Sequence, residues 1–449
     1  MSFRCICRFI LHHIICGFGR TVTVGTAQCA GVVPYNKNEG VGIIRKAIRT
    51  GFWIIGMAVL AVLAAALYWQ ARLPDEYALT RGSTIRLPGN ITAEFGEEAA
   101  AARSGGTMTE AELRLPLGVA VKTVEIRYVE RETVLVSGRP FGIKMFTEGL
   151  MAVGFTDFTS DGKRINPARE AGLSVGDILL TIDGISLTSN EQMGALVQSS
   201  GGKPLRVVYR RQEKQHTAVI TPQKSISDSR WHIGIWVRDS SAGIGTVTYF
   251  DEAARTFSGL GHPICDVDTG DIMTLSSGEA VEAVITGYVA GKSGSPGELK
   301  GQFISGHTFG ELTANSACGI CGELCSDYIP QGKRMPVAFS HEVREGDAKM
   351  LTTIEGGTPQ EYDIRIEKVL RPSGHAGQNM VIRVTDKTLL QKTGGIVQGN
   401  SGSPIIQNGM LVGVVTHVFV DDPARGYAIF AETVRNAEKQ QTAALLPAA

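Results

Sequence analysis

Gly399-Asn400-Ser401-Gly402-Ser403-Pro404, followed by Ile405-Ile406-Gln407-Asn408-Gly409-Met410-Leu411-Val412-Gly413-Val414-Val415-Thr416-His417, is the stretch on which the fold turns. Its second part reads as an apolar strand, an Asn-Gly turn and a second apolar strand, the pattern of a tight β-hairpin. Its first part is a serine between glycines. A serine hydroxyl is a weak nucleophile and needs a base, an orienting group and an oxyanion hole. Flanking glycines let the backbone turn sharply and aim N–H groups at one point. The amides of Gly399 and Ser401 are the natural donors. A glycine-flanked serine backed by a strand hairpin is a local context suited to an activated nucleophile, so Ser401 is the candidate.

The chain also holds a near copy, Gly291-Lys292-Ser293-Gly294-Ser295-Pro296. The residues after it are polar rather than a buried strand and hairpin, so Ser293 reads as a turn residue. The base must be a histidine, and beyond the apolar segment these are His216, His232, His262, His307, His341, His375 and His417. His262 stands in the glycine-rich turn Gly259-Leu260-Gly261-His262-Pro263, more than a hundred residues before the serine. Chymotrypsin-like barrels place histidine in the first barrel and serine in the second. His417 ends the hairpin strand and is placed to line a substrate cleft. For the acid, Asp386 follows the apolar strand 381–385, fifteen residues before Ser401. That spacing fits a solvated aspartate at a strand end equally well. Asp266, Asp268 and Asp271 are too close to His262 in sequence for the usual orienting acid.

Working outward, residues 226–436 are glycine-rich with short apolar runs and little helical periodicity, as in a β-barrel or sandwich. The block 138–223 centres on Pro167-Ala168-Arg169-Glu170-Ala171-Gly172-Leu173-Ser174-Val175-Gly176-Asp177, then an apolar strand and Asp183-Gly184. A short helix ends at Gly172, and 189–199 reads as an amphipathic helix with Met193, Leu196 and Val197 on one face. This block resembles a PDZ domain. The resemblance places the carboxylate-binding loop at Arg139–Ile143, with Phe141, Gly142 and Ile143 as peptide-binding residues and a peptide added beside Gly142–Met145. The region 72–137 is a juxtamembrane linker with strands at 123–129 and 133–136, and 97–106 is a Gly/Ala-rich linker.

Residues 51–71 carry no charge, and a helix of that length matches a hydrocarbon core of about 30 Å. Aromatic residues flank both ends, and Arg45, Lys46 and Arg49 precede it. The positive-inside rule then puts the tail 1–50 in the cytoplasm and everything after Arg72 outside. The apolar run exceeds a signal-peptide core of about 7–15 residues, which favours an anchor. Residues 437–449 form a C-terminal tail.

The 449-residue chain has 44 basic and 44 acidic side chains, a balance that argues against nucleic-acid binding. Cys5, Cys7, Cys16 and Cys29 precede the first organised segment; Cys265, Cys318, Cys321 and Cys325 lie far downstream. A structural zinc site uses four ligands, usually in two pairs. The triplet at 318, 321 and 325 lacks a paired partner, so loop thiols without metal are expected, and no cofactor.

Thr393-Gly394-Gly395-Ile396-Val397-Gln398-Gly399-Asn400-Ser401-Gly402-Ser403-Pro404, with Val415-Thr416-His417-Val418-Phe419-Val420 beyond it, resembles the stage IV sporulation protein B peptidases of endospore-forming bacteria. The similarity spans about 120–432, including the PDZ block. It implies a mainly β chain: an N-terminal transmembrane helix, a PDZ domain, then a chymotrypsin-like double β-barrel serine peptidase. It also implies a catalytic set of His262, Asp386 and Ser401. Asn400 departs from the methionine expected in that family. The implied role is a sporulation-signalling endopeptidase that crosses the forespore inner membrane. It cleaves itself and a membrane complex restraining an intramembrane protease, which activates a late sigma factor. The partners implied are protein substrates and a PDZ ligand peptide. An HtrA-type quality-control protease places its PDZ after the protease, which disfavours that alternative. A non-catalytic PDZ scaffold is disfavoured by the complete serine, histidine and aspartate set.

Overall fold

The computed structural model describes residues 37–81, 83, 85, 87–95, 108–116, 118–212, 214–267, 269–370 and 377–445. Most of the tail, the linker 97–106, the four N-terminal cysteines, Asp268, His375 and residues 446–449 lie outside the described residues. Helix α1 (Lys37–Arg72) contains a segment, Ile48–Arg72, long and apolar enough to cross a membrane. Strands β1 (Glu76–Leu79), β2 (Thr92–Phe95), β3 (Met108–Arg114) and β4 (Ala120–Tyr128) form a small sheet in the order β1-β4-β3-β2. Alternation along β3 and β4 turns Ala111, Leu113, Val124 and Ile126 inward.

After β5 (Thr133–Val136) comes β6 (Pro140–Phe155), sixteen residues long. It is followed by a compact α+β module. This comprises β7 (Phe158–Ser160), β8 (Lys163–Ile165), α2 (Pro167–Glu170), β9 (Ile178–Ile182), β10 (Ile185–Ser186), α3 (Asn190–Ser199), β11 (Leu205–Arg211), β12 (Lys214–Ile220), β13 (Gln223–Lys224) and β14 (Trp231–His232). Ser189 caps α3 by accepting from Gln192 N–H, and Met193 and Val197 are buried on the expected face. Asn166 caps α2 in the same way, and Gly172 takes φ +88° just past its end.

The chain then re-enters a barrel through β15 (Ile235–Asp251), β16 (Thr256–Gly259), β17 (Leu275–Val289), β18 (Glu298–Ser316) and β19 (Gly319–Leu324). β6 pairs with both β17 and β15, and so closes β6-β17-β18-β19-β16-β15 into a ring. β20 (Lys333–Pro336) pairs with β5 at its side. A second closed barrel follows: β21 (Gly346–Thr352), β22 (Gln360–Val369), β23 (Met380–Val384), α4 (Lys387–Thr393), β24 (Pro404–Gln407), β25 (Met410–Val418) and β26 (Arg425–Phe430), in the order β21-β22-β23-β26-β25-β24. Helix α5 (Ala431–Leu445) ends the described chain and is tied to the first barrel by charge. Arg435 pairs with Glu132, Asp251 and Glu438, while buried Glu438 accepts from Tyr249 and Thr256 hydroxyls.

The module boundaries differ from the sequence reading. β6 serves two cores: Phe141, Ile143 and Met145 pack in the first barrel, and Leu150 and Ala152 in the PDZ module. The PDZ module is therefore inserted between the first two strands of the first barrel instead of preceding the peptidase. Phe141, Gly142 and Ile143 are not a peptide-binding loop. Phe141 is fully buried edge-on against Phe257, and a Cβ on Gly142 would sit 2.4 Å from the Phe303 ring.

Candidate active site

The two barrels meet at a cleft of about 560 Å³ lined by Ser401, His262, His417, Thr416, Gly399 and a ring of aliphatic side chains. Ser401 enters on the loop between α4 and β24. That loop is built from inside by Asn400, whose fully buried amide accepts from Val397 N–H at 2.9 Å and donates to Thr352 Oγ1 at 3.0 Å. Asn400, a departure from the expected methionine, thus serves as the loop's internal strut. From outside, the first barrel clamps the loop. Thr246 N–H donates to Ser401 O (3.0 Å), Thr246 Oγ1 to Gly399 O (2.9 Å) and Thr248 Oγ1 to Gly402 O (2.7 Å). Gly402 must be glycine, because its φ is +96° and a Cβ would lie 2.0 Å from Thr246 O. The N–H groups of Gly399 and Ser401 donate to no group among the described residues.

His262 projects from the turn after β16. Its Nδ1–H donates to the Pro263 carbonyl at 2.8 Å, which leaves Nε2 as the acceptor nitrogen. Burial, with His417 4.8 Å away between ring centroids, pulls its pKa below the ordinary histidine value. Burial lowers the His417 pKa as well. Both rings are held towards the neutral form that a general base requires. The loop carrying His262 is pinned by Asn315. Asn315 accepts from Ile264 N–H (2.8 Å) and donates to the carbonyls of Ile264 (2.8 Å) and Met273 (2.9 Å). The Ser401 hydroxyl donates to Thr416 O at 2.8 Å.

Asp386 is not brought to this cleft. It is the N-cap of α4, where its carboxylate accepts from Leu389 N–H at 2.9 Å. An aspartate after a strand and three residues before an apolar helix position is well suited to that cap, and local demand decided its place. No Asp or Glu among the described residues lines the cleft, and the Pro263 carbonyl stands at Nδ1 of His262 where an acid was expected.

The PDZ groove lies elsewhere than expected. A cavity of about 450 Å³ runs between α3, through Met193, Gly194 and Val197, and the segment Ile233–Val237. Thr156 N–H donates to Gly234 O while Ile235 stands opposite Phe155, which makes this a non-hydrogen-bonded pair. The N–H and C=O of Ile235 therefore point away from β6, into the groove. The N–H groups of Ile233 and Gly234 donate to nothing described, so Ile233-Gly234-Ile235 has the unengaged amides of a carboxylate-binding loop. Gln198 fixes this loop, donating to Trp231 O (2.6 Å) and accepting from Trp231 N–H (3.2 Å). The signal was present in the sequence: Ile233-Gly234-Ile235 repeats the apolar-Gly-apolar pattern of Phe141-Gly142-Ile143. The described cysteines are free thiols, and no cluster of three or more metal-ligating side chains occurs among the described residues. Cys321 is buried in β19 beside Gln441.

Two barrels, a serine on a glycine-rich loop and a histidine in the same cleft are the arrangement of the serine-peptidase class, here with a PDZ module set into it. The family profile described as SpoIVB peptidase S55 matches residues 229–434, and a PDZ profile matches 166–211. The chain carries a peptidase domain of the SpoIVB S55 family together with a PDZ domain. Among curated proteins, a putative zinc metalloprotease of Neisseria meningitidis is 32% identical over 125 residues, 26% of this chain and 28% of that protein. A putative zinc metalloprotease of Xylella fastidiosa is 29% identical, over 28% of this chain and 27% of that protein. The chain thus spans little more than a quarter of these relatives. Among solved structures, the PDZ domain of an SdrC-like protein from Listeria monocytogenes is 22% identical, covering 20% of this chain and 87% of that one, with a TM-score of 0.17. The Rv3671c protease of M. tuberculosis, active form, is 19% identical over 44% and 72%, with a TM-score of 0.26.

Proposed function

We propose that this chain is a membrane-anchored serine endopeptidase in which Ser401 is the nucleophile and His262 the general base. One observation carries the reading: Ser401, His262 with an open Nε2, and the unengaged amides of Gly399 and Ser401 share one cleft. Rotation of the Ser401 side chain away from Thr416 O hands its proton to Nε2. The oxyanion of the tetrahedral intermediate then forms at the two amides. The Pro263 carbonyl takes the orienting role by holding the Nδ1–H tautomer. Apart from its histidines the cleft is lined by uncharged residues, among them Ile244, Val397 and Val418, which suits substrates with apolar side chains beside the scissile bond.

The basic residues before the apolar helix favour a cytoplasmic N-terminus with the catalytic part outside. With the S55 resemblance, this supports a role in sporulation signalling. In that role the chain cleaves itself and a membrane-bound regulatory complex between forespore and mother cell, and the PDZ groove takes target peptides. The test is labelling of the full chain with a fluorophosphonate and mapping of its mature N-terminus. Labelling and self-processing are expected in the parent and absent in Ser401→Ala. A Ser401→Ala chain that still labels overturns the assignment. A parent that binds peptide but never labels supports a scaffold instead.

A further inference from the structure

β15 does two jobs in one strand: its first residues wall the PDZ groove, and Thr246 and Thr248 clamp the Ser401 loop. Between these ends stand Arg238 and Asp239, consecutive residues of opposite charge that reach in opposite directions. The Asp239 carboxylate accepts from Asn190 N–H at 2.9 Å, at the first turn of the groove helix α3. A carboxylate there is also favoured by the helix dipole. Arg238 pairs with Asp266, whose side chain is fully buried within the His262 loop. Asp266 in turn accepts from Thr269 N–H at 2.9 Å, and its own N–H donates to Asp271 O at 2.9 Å. A buried carboxylate is costly to leave unpaired, which ties the His262 loop to Arg238. Four residues before Asp266 is His262.

We infer that Arg238 and Asp239 are positioning residues through which the PDZ groove sets the placement of His262 against Ser401. The proposal rests on the serine-peptidase reading and deepens it. Peptide entry against Ile235 and α3 alters the distance between strand and helix, and Asp239 is bonded across that gap. Arg238, one residue on, transmits the change to the His262 loop. The coupling runs through contiguous hydrogen bonds and one strand whose register is broken at Arg238–Ser240, so the two charged side chains leave it at a bulge.

The test uses the full chain and a fluorophosphonate probe, with the inactivation rate constant and the probe's binding constant measured separately. Gly194 lines the groove, and a Cβ there meets nothing within 4 Å, so Gly194→Phe is the variant chosen to fill the groove. Gly194→Phe is expected to change the inactivation rate constant about threefold or more in the parent. In the Asp239→Ala background, which removes the acceptor of the Asn190 N–H, it should change it by less than about 1.5-fold, since independent sites add and coupled sites do not. Arg238→Gln should lower the rate constant about tenfold with probe binding unchanged, and Arg238→Lys should recover part of it. Equal effects of Gly194→Phe in both backgrounds overturn the coupling while leaving the peptidase reading intact. Labelling that survives Ser401→Ala overturns the peptidase reading and the coupling with it.

Discussion

Gly291–Pro296 and Gly399–Pro404 differ little in sequence and greatly in environment. The first is the tip of the β17–β18 hairpin, where Lys292 and Ser295 exchange backbone hydrogen bonds at 2.9 Å and Ser293 is exposed. The second is a loop held from inside by Asn400 and from outside by Thr246 and Thr248. The two also touch. Gln398 N–H donates to Gly297 O, Leu299 N–H donates to Gln398 O, and Pro296 lines the cleft. The copy is therefore a buttress of the loop it resembles. A serine between glycines acquires chemistry from what fixes its backbone, not from the glycines themselves.

The sharpest break in that comparison is the pair of hydroxyl deletions. Ser401→Ala should lower turnover by roughly 10⁵-fold or more, whereas Ser293→Ala should stay within about twofold, both measured on a peptide substrate. Next come the glycines. Gly402→Ala drives a Cβ into Thr246 O and should cost at least about 3 kcal/mol in urea unfolding. Gly294→Ala has φ +79° but open space around it, so only the backbone term of about 1–2 kcal/mol remains. Asn400→Ala leaves the buried Val397 N–H without its acceptor and should cost about 1–3 kcal/mol. Its positional counterpart, exposed Lys292→Ala, should stay within about 0.5 kcal/mol by the same measurement.

The smallest effect is a displacement of pH dependence. Burial lowers the His262 pKa, so the neutral base persists below the ordinary value of about 6.5. Activity should be constant above that value and fall only as pH drops through the lowered pKa. The stability gained from keeping the ring neutral is likewise present above 6.5 and lost on acidification. An acid limb centred at or above 6.5 in a kcat/KM profile would contradict the burial of this ring.

Local pattern made the nucleophile hairpin legible. Ile405–Gln407 and Met410–His417 lie in strands, and Asn408 and Gly409 have φ +52° and +75°, as a two-residue turn of this kind requires. The helix at 190–199 and the break after α2 were legible for the same reason. The groove was not, because Phe141-Gly142-Ile143 and Ile233-Gly234-Ile235 are locally alike. Only the pairing of β6 with β15, distant in sequence, decides which one borders α3. The length of β15, β17 and β18 was also hidden, since bulges interrupt their alternation. Asp386 illustrates the reverse case, a residue whose local fitness as a helix cap outweighed its place in the order of the chain.

The insertion of the PDZ module also fixes an order of assembly. Phe155 and Ile235 are partners across β6 and β15, and most of the module lies between them in the chain. Closing so long a loop from an unstructured chain is slow, because its entropy is spent before the distant strands can pair. A folded PDZ module delivers both strands side by side and removes that delay. The first barrel is therefore expected to close after the module, with Thr246 meeting the Ser401 loop once β15 is in place. A chain whose PDZ module has not folded is therefore expected to be slow in bringing Thr246 to the Ser401 loop, a delay set by connectivity alone.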